Sequence, residues 1–237
     1  MKGGVFLKIK ILADGHTEYQ RKKGIWGISL LAGKDILFDA FCGGKTLLNA
    51  FKKNNENPLK IRHIIISHNH WDHTGGLWDL LEINKRAVVY LCAHSPAELK
   101  KRVRKAGAGL VLTGRTPVRI KPGAIIPGEI KGYYKKKTIY EQALLIGPAS
   151  RRLLICGCSH PGPEEMLRKA AAAGGKVRGI MGGFHLYGET DERISDVIDY
   201  FRLAGIGFAL PMHCSGRGAV KMKRIFRNGK STGADIS

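Results

Sequence analysis

Four side chains that can bind a metal ion lie within six consecutive residues of this chain. They belong to the segment Ser67-His68-Asn69-His70-Trp71-Asp72-His73-Thr74-Gly75-Gly76, which follows an apolar, β-branched run at residues 61–66. That run predicts a strand buried on both faces, and a loop leaving a rigid strand end can turn several side chains toward one point. Imidazole and carboxylate groups bind zinc and iron well. Three of the nine histidines at this spacing therefore indicate a metal site rather than packing.

Short apolar runs alternate with amphipathic stretches along the chain, which predicts an α/β or α+β fold. Strands are expected at residues 5–12, 26–31, 35–39, 61–66, 88–92, 152–156, 177–181 and 207–210, with further strands within residues 107–147. Helices are expected at residues 45–53, 77–82, 96–105, 163–173 and 191–203. No repeat or low-complexity linker divides the sequence, so residues 1–237 are expected to form a single domain, with a mobile loop at residues 131–137.

The net charge is the most unusual bulk property. Forty Lys and Arg residues against nineteen Asp and Glu residues leave a formal charge of +21, which attracts polyanions. Basic runs at residues 100–105, 135–137 and 221–224 could hold nucleic acid or a phosphorylated small molecule, or could be a solvated surface. No apolar stretch is long enough to span a membrane and the start lacks a secretory signal, so we expect a cytoplasmic protein.

Five scattered cysteines without paired spacing are expected to be reduced thiols. Cys156, Cys158 and Cys214 lie near histidines in the sequence and could line the metal site. Packing as small buried residues at strand ends is the favoured interpretation.

The segment at residues 68–73 resembles the H-x-H-x-D-H motif of the metallo-β-lactamase superfamily. Further landmarks of that superfamily follow in the same order. The strand at residues 36–39 resembles the one that carries a supporting aspartate, Gly157-Cys158-Ser159-His160-Pro161-Gly162 resembles the third motif, and Pro211-Met212-His213-Cys214 resembles the last. The resemblance covers nearly the whole chain and implies a four-layer αββα sandwich.

The resemblance also implies which residues bind metal, namely one or two divalent ions, with zinc expected and iron or manganese as alternatives. One ion would be held by His68, His70 and His160. The other would be held by Asp72, His73 and His213. Asp39 would support the site by accepting hydrogen bonds from ligands or by bracing the loop.

One departure from the superfamily pattern concerns the aspartate that bridges two metals in many relatives. The corresponding region reads Met181-Gly182-Gly183-Phe184-His185-Leu186. His185 could bind one metal, could act nearby as a substrate contact or acid/base, or the site could hold one metal only. A role at the site is favoured over packing, and Asp72 and His185 are the candidate catalytic residues.

The sequence segments around His160 and His185 resemble those of one branch of the superfamily, the dihydropterin and ribofuranosylaminobenzene 5'-phosphate synthase-like proteins. This implies a transferase that joins a dihydropterin methyl pyrophosphate to an aminobenzene ribofuranoside phosphate, with loss of pyrophosphate. Residues 214–216, before a predicted helix, together with Arg115 and Arg217 are candidate anion contacts, and His94 could face the cleft or pack.

Two other function classes remain open from the sequence. A hydrolase of a phosphodiester, lactone or thioester would use the same ligands. A nucleic-acid-binding protein with a purely structural metal is disfavoured, because structural zinc sites are closed four-ligand cages and this chain offers six or seven candidate ligands around a cleft. The sequence leaves the oligomeric state open.

Overall fold

Two six-stranded sheets dominate the computed structural model, which describes residues 8–226. The first sheet contains β1 (Ile9–Gly15), β2 (Gly27–Ala32), β3 (Ile36–Phe38), β4 (His63–Ile65), β5 (Val88–Cys92) and β6 (Gly109–Thr113). The rest of the chain forms β7 (Val118–Lys121), β8 (Ala124–Ile126), β9 (Ile130–Tyr134), β10 (Lys137–Glu141), β11 (Leu144–Ile146), β12 (Arg152–Cys156), β13 (Val177–Gly183) and β14 (Phe208–Met212). Of these, β9 and β10 pair as a separate hairpin and the others form the second sheet.

The two sheets have similar topologies. In the first, β1, β2 and β3 are antiparallel neighbours, and β3 to β6 are parallel. In the second, the strand order is β14-β13-β12-β11-β8-β7; β12 to β14 are parallel and the remaining pairs are antiparallel. Parallel neighbours require a crossover connection, and helices supply most of them.

The described residues form eight α-helices, six of which cover the outer faces of the two sheets. They are α1 (Glu18–Lys22), α2 (Gly44–Lys53), α3 (Trp71–Thr74), α4 (Leu77–Ile83), α5 (Ala97–Lys105), α6 (Pro163–Ala172), α7 (Asp191–Leu203) and α8 (Gly216–Ile225). No helix in the described residues is long and apolar enough to cross a membrane.

Three hydrophobic clusters correspond to the three interfaces of a four-layer sandwich. The central cluster joins side chains of the two sheets, including Phe38 and Ile65 from the first and Ile155 and Met181 from the second. A second cluster lies between the first sheet and α2, α4 and α5. The third lies between the second sheet and α6, α7 and α8. The predicted αββα sandwich is thereby confirmed.

Strand β4 shows why a continuous apolar run belongs in the middle of this architecture. Successive strand side chains point to opposite faces, so Ile65 enters the inter-sheet cluster while Ile64 and Ile66 enter the helix-facing cluster. Most other predicted elements also form, with ends shifted by one to three residues. The first strand begins at Ile9, and the part of that prediction at residues 5–7 lies outside the described residues.

The prediction of a mobile loop at residues 131–137 is wrong. These residues belong to the β9–β10 hairpin, whose two-residue turn consists of Lys135 and Lys136 in left-handed conformation. The lysines concealed a period-two pattern in which Ile130 and Gly132 are buried and Lys131 and Tyr133 are exposed. Gly132 is required because a Cβ there would lie 2.7 Å from the Pro161 nitrogen, so the hairpin sits directly on the loop that carries His160.

Candidate metal centre

The predicted site residues converge at the carboxyl ends of the parallel strands of both sheets. Asp39 follows β3, and the early histidine cluster follows β4 and continues into α3. His160 follows β12, His185 follows β13 and His213 follows β14. Ligands of open parallel sheets bind in this position because the loops at that edge face one crevice.

Three histidines form the first predicted ligand group. The Nε2 of His68 lies 3.0 Å from the Nδ1 of His70, and the Nε2 of His160 lies 3.3 Å from the same atom. The three nitrogens lie within 4.8 Å of one another. An ion between them would have three ring nitrogens from two different sheets.

Asp72, His73 and His213 form the second predicted group. The Oδ2 of Asp72 lies 3.5 Å from the Nε2 of His73 and 3.3 Å from the Nε2 of His213. Both histidine side chains are fully buried. The structure thus brings together all six residues that the resemblance implied as ligands.

Asp39 lies beneath both groups and is completely buried. Its carboxylate accepts hydrogen bonds from the backbone N–H of Ser67 at 2.7 Å, from the Ser67 hydroxyl at 2.7 Å, and from His73 Nδ1 at 2.6 Å. The Ser67 oxygen also lies 2.9 Å from His68 Nδ1. These contacts orient His68 and His73 so that each presents Nε2 to the site, which is how supporting groups fix the tautomer of metal-ligating histidines.

His213 is held in the same way by β1. Its Nδ1 lies 3.1 Å from the Gly15 carbonyl oxygen, and its backbone N–H donates to Asp14 at 2.9 Å. The Gly27 N–H also points at this Nδ1, at 3.2 Å. The Nε2 is buried and makes no hydrogen bond of good geometry in the described residues, although Asp72 Oδ2 lies 3.3 Å away. A metal ion between this nitrogen and the carboxylate would satisfy both.

The protonation states suit metal binding. Burial lowers the pKa of His68 well below its ordinary value, and burial with neighbouring histidines lowers the pKa of His160 to about 2, so both rings are neutral ligands. Burial opposes ionisation of Asp72, but His73 and His213 together hold its pKa well below its ordinary range.

Burial also opposes protonation of His73 and His213, but Asp39 and Asp72 raise the pKa of His73, and Cys214 and Asp72 raise that of His213. A cation bound by the second group would therefore displace the proton from these rings, because a histidine binds metal in its neutral form. Imidazole and carboxylate donors suit zinc and iron, so the residues present fit a divalent cation.

His185 lies at the site, beside the first group. Its ring centroid is 4.5 Å from that of His160, and its Nδ1 is buried without a hydrogen-bond partner. A ring nitrogen of His185 lies within 4.8 Å of both Cys158 and His160. The Cys214 sulfur raises the pKa of His185, against the effect of burial.

The backbone is in the left-handed region at several of these residues. Asp39, Ser159, His185 and His213 have φ between 48° and 61°. Such conformations are uncommon outside glycine and concentrate at functional sites, where surrounding contacts stabilise them.

Members of both predicted ligand groups line an open pocket of about 340 Å³. Three aromatic lining residues were not among the predicted site residues: Trp26, Trp71 and Tyr134. The Tyr134 ring stands 4.8 Å from His70 and 5.1 Å from His160, between centroids, and Trp26 stands 4.8 Å from His213. Tyr134 was missed because residues 131–137 were interpreted as a mobile loop, whereas Lys135 belongs to a basic run that was predicted as a possible phosphate contact.

Packing alone, the favoured interpretation from the sequence, does not describe Cys158 and Cys214. Cys158 and Cys214 are buried and also border the pocket, and the Cys158 sulfur lies 3.3 Å from His73 Nε2. Cys156 lies within β12, in the hydrophobic cluster beneath α6 and α7, as the packing interpretation predicts.

Glu141 is a buried residue that the sequence analysis missed. Its carboxylate accepts three backbone N–H groups, from Cys158, Ser159 and His160, each at 2.8 Å. Burial raises the pKa of Glu141, and these three donors oppose the rise. The available signal was an acidic residue inside an apolar stretch of a strongly basic chain. Glu141 fixes the loop that presents His160.

Of the predicted anion contacts, Cys214 lines this pocket and the others do not. The Arg217 guanidinium lies 3.5 Å from the Glu189 carbonyl oxygen on the surface, and neither it nor Arg115 lines the pocket. Ser215 is buried and its hydroxyl bonds to the Met212 carbonyl and the Phe184 N–H. His94 stacks on Tyr140 and contacts Glu129 at 2.5 Å, also outside the pocket.

Two packed sheets flanked by helices, with histidine-bearing loops meeting at one edge, define the αββα class of metal-site folds. The profile of the metallo-beta-lactamase superfamily matches residues 29–179. The chain belongs to this superfamily, as the early histidine motif indicated.

Relatives of known name agree with this assignment. A protein of Methanocaldococcus jannaschii named 7,8-dihydropterin-6-methyl-4-(beta-D-ribofuranosyl)-aminobenzene-5'-phosphate synthase is 32% identical, over 91% of this chain and 90% of its own length. The crystal structure of Tm1679, described as a metal-dependent hydrolase of the beta-lactamase superfamily, superposes with a TM-score of 0.72 at 21% identity, over 98% of this chain and 95% of its own. The structure of YhfI of Bacillus subtilis superposes with a TM-score of 0.67 at 16% identity, over 98% of this chain and 96% of its own. The predicted resemblance to the synthase branch is confirmed.

Proposed function

We propose that this protein is a metal-dependent transferase that joins a dihydropterin to a ribofuranosylaminobenzene phosphate. The observation that carries the proposal is an open pocket in which four of the six proposed ligand side chains meet aromatic walls and a lysine. The other two proposed ligands, His68 and His73, are buried beside those four. Support for the substrate class comes from the 32% identical relative, whose name is that of such a synthase. Fold alone would not select this reaction, because one fold supports many activities.

His68, His70 and His160 would hold one cation, and Asp72, His73 and His213 a second. When bound, a divalent cation polarises a phosphoryl oxygen and stabilises an anionic leaving group. Imidazole and carboxylate donors accept zinc, iron or manganese, and we propose zinc.

The remaining pocket residues suit an aromatic, phosphorylated reactant. Tyr134, Trp26 and Trp71 provide ring faces and edges against which a flat pterin or aminobenzene ring can pack. Lys135 is the one lysine or arginine among the residues that line this pocket, and its ammonium lies 5.3 Å from the Tyr134 ring centroid. A phosphate could therefore pair with Lys135 while the attached ring contacts Tyr134.

His185 is proposed as a proton donor or hydrogen-bond donor to the anionic group that departs. Its Nδ1 is buried, makes no hydrogen bond within the protein and belongs to a pocket-lining ring. Asp72 is proposed to act as a ligand that also orients the reacting group, because its Oδ2 lies between His73 and His213.

The experiment compares wild type with His70→Ala and with the surface control His16→Ala. Purified proteins are analysed for metal content, for circular dichroism and for product formation from a dihydropterin methyl pyrophosphate and a ribofuranosylaminobenzene phosphate. We expect His70→Ala to lose bound metal and activity while keeping its secondary structure, because His70 is a half-exposed loop residue. His16→Ala should match wild type.

Two outcomes would overturn the proposal. Metal-loaded wild type that hydrolyses phosphodiesters, lactones or thioesters but forms no coupled product would assign hydrolase chemistry to the same ligands. Global unfolding of His70→Ala, with nucleic-acid binding as the only activity of wild type, would assign a structural metal.

A further inference from the structure

Cys158 occupies the space between the two predicted ligand groups. Its sulfur lies within 4.8 Å of ring nitrogens of His68 and His73 in one cluster, of His160 and His185 in a second, and of His213 in a third. The shortest measured approach is 3.3 Å, to His73 Nε2. Cys158 is therefore close to members of both the first and the second predicted group.

The position of this sulfur is fixed by the backbone that carries it. The Cys158 N–H donates to Glu141 Oε1 at 2.8 Å, and the next two N–H groups bond to the same carboxylate. Gly157 allows the loop to approach the floor of the site, because a Cβ there would lie 2.1 Å from the Ser67 oxygen. With 4% of its surface exposed, Cys158 cannot turn its sulfur to solvent without moving this loop.

We propose that Cys158 is a thiolate ligand shared between the two metal positions. This inference rests on the metal centre of the proposed function and adds a seventh protein ligand to it. A divalent cation held there would take the place of the thiol proton, which would pass to solvent. The Nε2 of His213 lies in the same buried neighbourhood and makes no hydrogen bond of good geometry in the described residues, with Asp72 Oδ2 at 3.3 Å.

Two other cysteines are close enough in sequence or space to be compared with Cys158. Cys214 joins Cys158 and His213 in one cluster, and its sulfur points toward the Cys158 carbonyl oxygen at 3.8 Å. Cys156 is fully buried in β12, two residues earlier, and belongs to no ligand cluster of the described residues. Cys214 is thus the rival ligand and Cys156 the matched control.

The test reads the metal's ligands directly rather than activity. Full-length apoprotein is loaded with Co²⁺ and its near-ultraviolet absorption is measured for sulfur-to-cobalt charge transfer, in wild type, Cys158→Ser, Cys214→Ser and Cys156→Ser. Zinc-loaded wild type is examined by X-ray absorption for a sulfur neighbour at about 2.3 Å. We expect the charge-transfer band in wild type, Cys214→Ser and Cys156→Ser, and its loss in Cys158→Ser. Loss of the thiolate should also weaken metal binding by at least about tenfold.

The outcomes separate this inference from the proposed function. Bound metal without a sulfur neighbour in wild type would overturn the thiolate ligand and leave the metal centre intact. Loss of the band in Cys214→Ser alone would assign the sulfur to the rival residue. Absence of any bound metal would instead defeat the proposed function. Should Cys158→Ser fail to fold, the wild-type X-ray spectrum with the other two variants still decides.

Discussion

Asp39 is the residue on which the orientation of the early histidines depends. It is a fully buried carboxylate whose three hydrogen-bond donors come from Ser67 and His73. Burial opposes the charged form of His73, but the carboxylates of Asp39 and Asp72 raise its pKa well above the ordinary value. Asp39 is left-handed at φ 57°, a conformation that aspartate tolerates better than most residues.

Replacing Asp39 by asparagine should damage both stability and metal binding. In Asp39→Asn the side-chain amide would face one of the present donors, so a buried N–H or O–H group would lose its acceptor. We expect a loss of about 1–3 kcal/mol in the free energy of unfolding of the apoprotein. Metal affinity should fall by about 10- to 100-fold.

Chemical denaturation and competitive metal titration measure these two effects. Asp199→Asn on the exposed face of α7 is the control and should change neither. An Asp39→Asn protein with wild-type metal affinity would show that Asp39 does not position the ligands.

At the scale of elements, the β9–β10 hairpin and the loop after β12 build one wall of the site together. Glu141, at the end of β10, accepts the N–H groups of the loop, while Tyr134, at the end of β9, contacts the rings of His70 and His160. The hairpin turn places Lys135 in the pocket lining. Its neighbour Lys136 is exposed and does not line the pocket. A single hairpin thus both supports the loop that carries His160 and supplies two residues of the pocket lining.

Lys135→Ala should raise the KM for the phosphorylated substrate with a smaller change in kcat. A charge-assisted contact to phosphate contributes about 1.5 kcal/mol, which corresponds to about a tenfold rise in KM. Steady-state kinetics on Lys135→Ala and on the neighbouring control Lys136→Ala measure the effect. Equal effects of the two substitutions would indicate general electrostatic attraction rather than a contact in the pocket.

The ion pair between α6 and α7 gives the fold a pH-dependent contribution. Arg193 contacts both carboxylate oxygens of Glu164, one of them at 2.9 Å. Burial raises the pKa of Glu164, but the hydrogen bond and charge of Arg193, with a backbone hydrogen bond, together outweigh it, and the net shift is downward from 4.5. A carboxyl with a lower pKa in the folded state contributes stability above its unfolded pKa and loses it as pH falls through the folded value.

Glu164→Gln should therefore lower the free energy of unfolding by about 1 kcal/mol at neutral pH, a value reduced by solvent screening. The difference from wild type should shrink as the pH falls below 4.5. Denaturation curves at several pH values measure this, with Glu165→Gln, in an exposed pair with Arg168, as the control. A difference independent of pH would mean that packing, and not charge, is lost.

At the scale of the whole molecule, three separate clusters bury the apolar side chains and leave the loop edge free for chemistry. The candidate metal centre lies where the two sheets meet at that edge, with His68, His70 and His73 from the first sheet and His160 and His213 from the second. The chain has a formal charge of +21, but Lys135 is the one lysine or arginine that lines the pocket. The other basic residues lie elsewhere on the chain. Binding of nucleic acid by that charge stays a prediction, as do the cytoplasmic location and the single domain.

Local patterns in the sequence determined most of the secondary structure and the mixed α/β class, and the superfamily resemblance implied the αββα sandwich. Continuous apolar runs predicted buried strands such as β4, and amphipathic stretches predicted α2, α5, α6 and α7. Short spacing within one loop also identified His68, His70, Asp72 and His73, because neighbouring residues on one loop must share a location. His160, His213 and Asp39 followed from the superfamily resemblance rather than from any local rule.

Tertiary structure alone decided the contacts that join distant segments. Cys158 and His73 are 85 positions apart, and Glu141 reaches a loop 17 to 19 positions away, so no local periodicity signals either contact. Lys135 and Tyr134 enter the site only because a glycine lets their hairpin rest on the His160 loop. The physical reason is that local propensity fixes backbone conformation, whereas ligand geometry depends on how two sheets pack and which loops meet at their common edge.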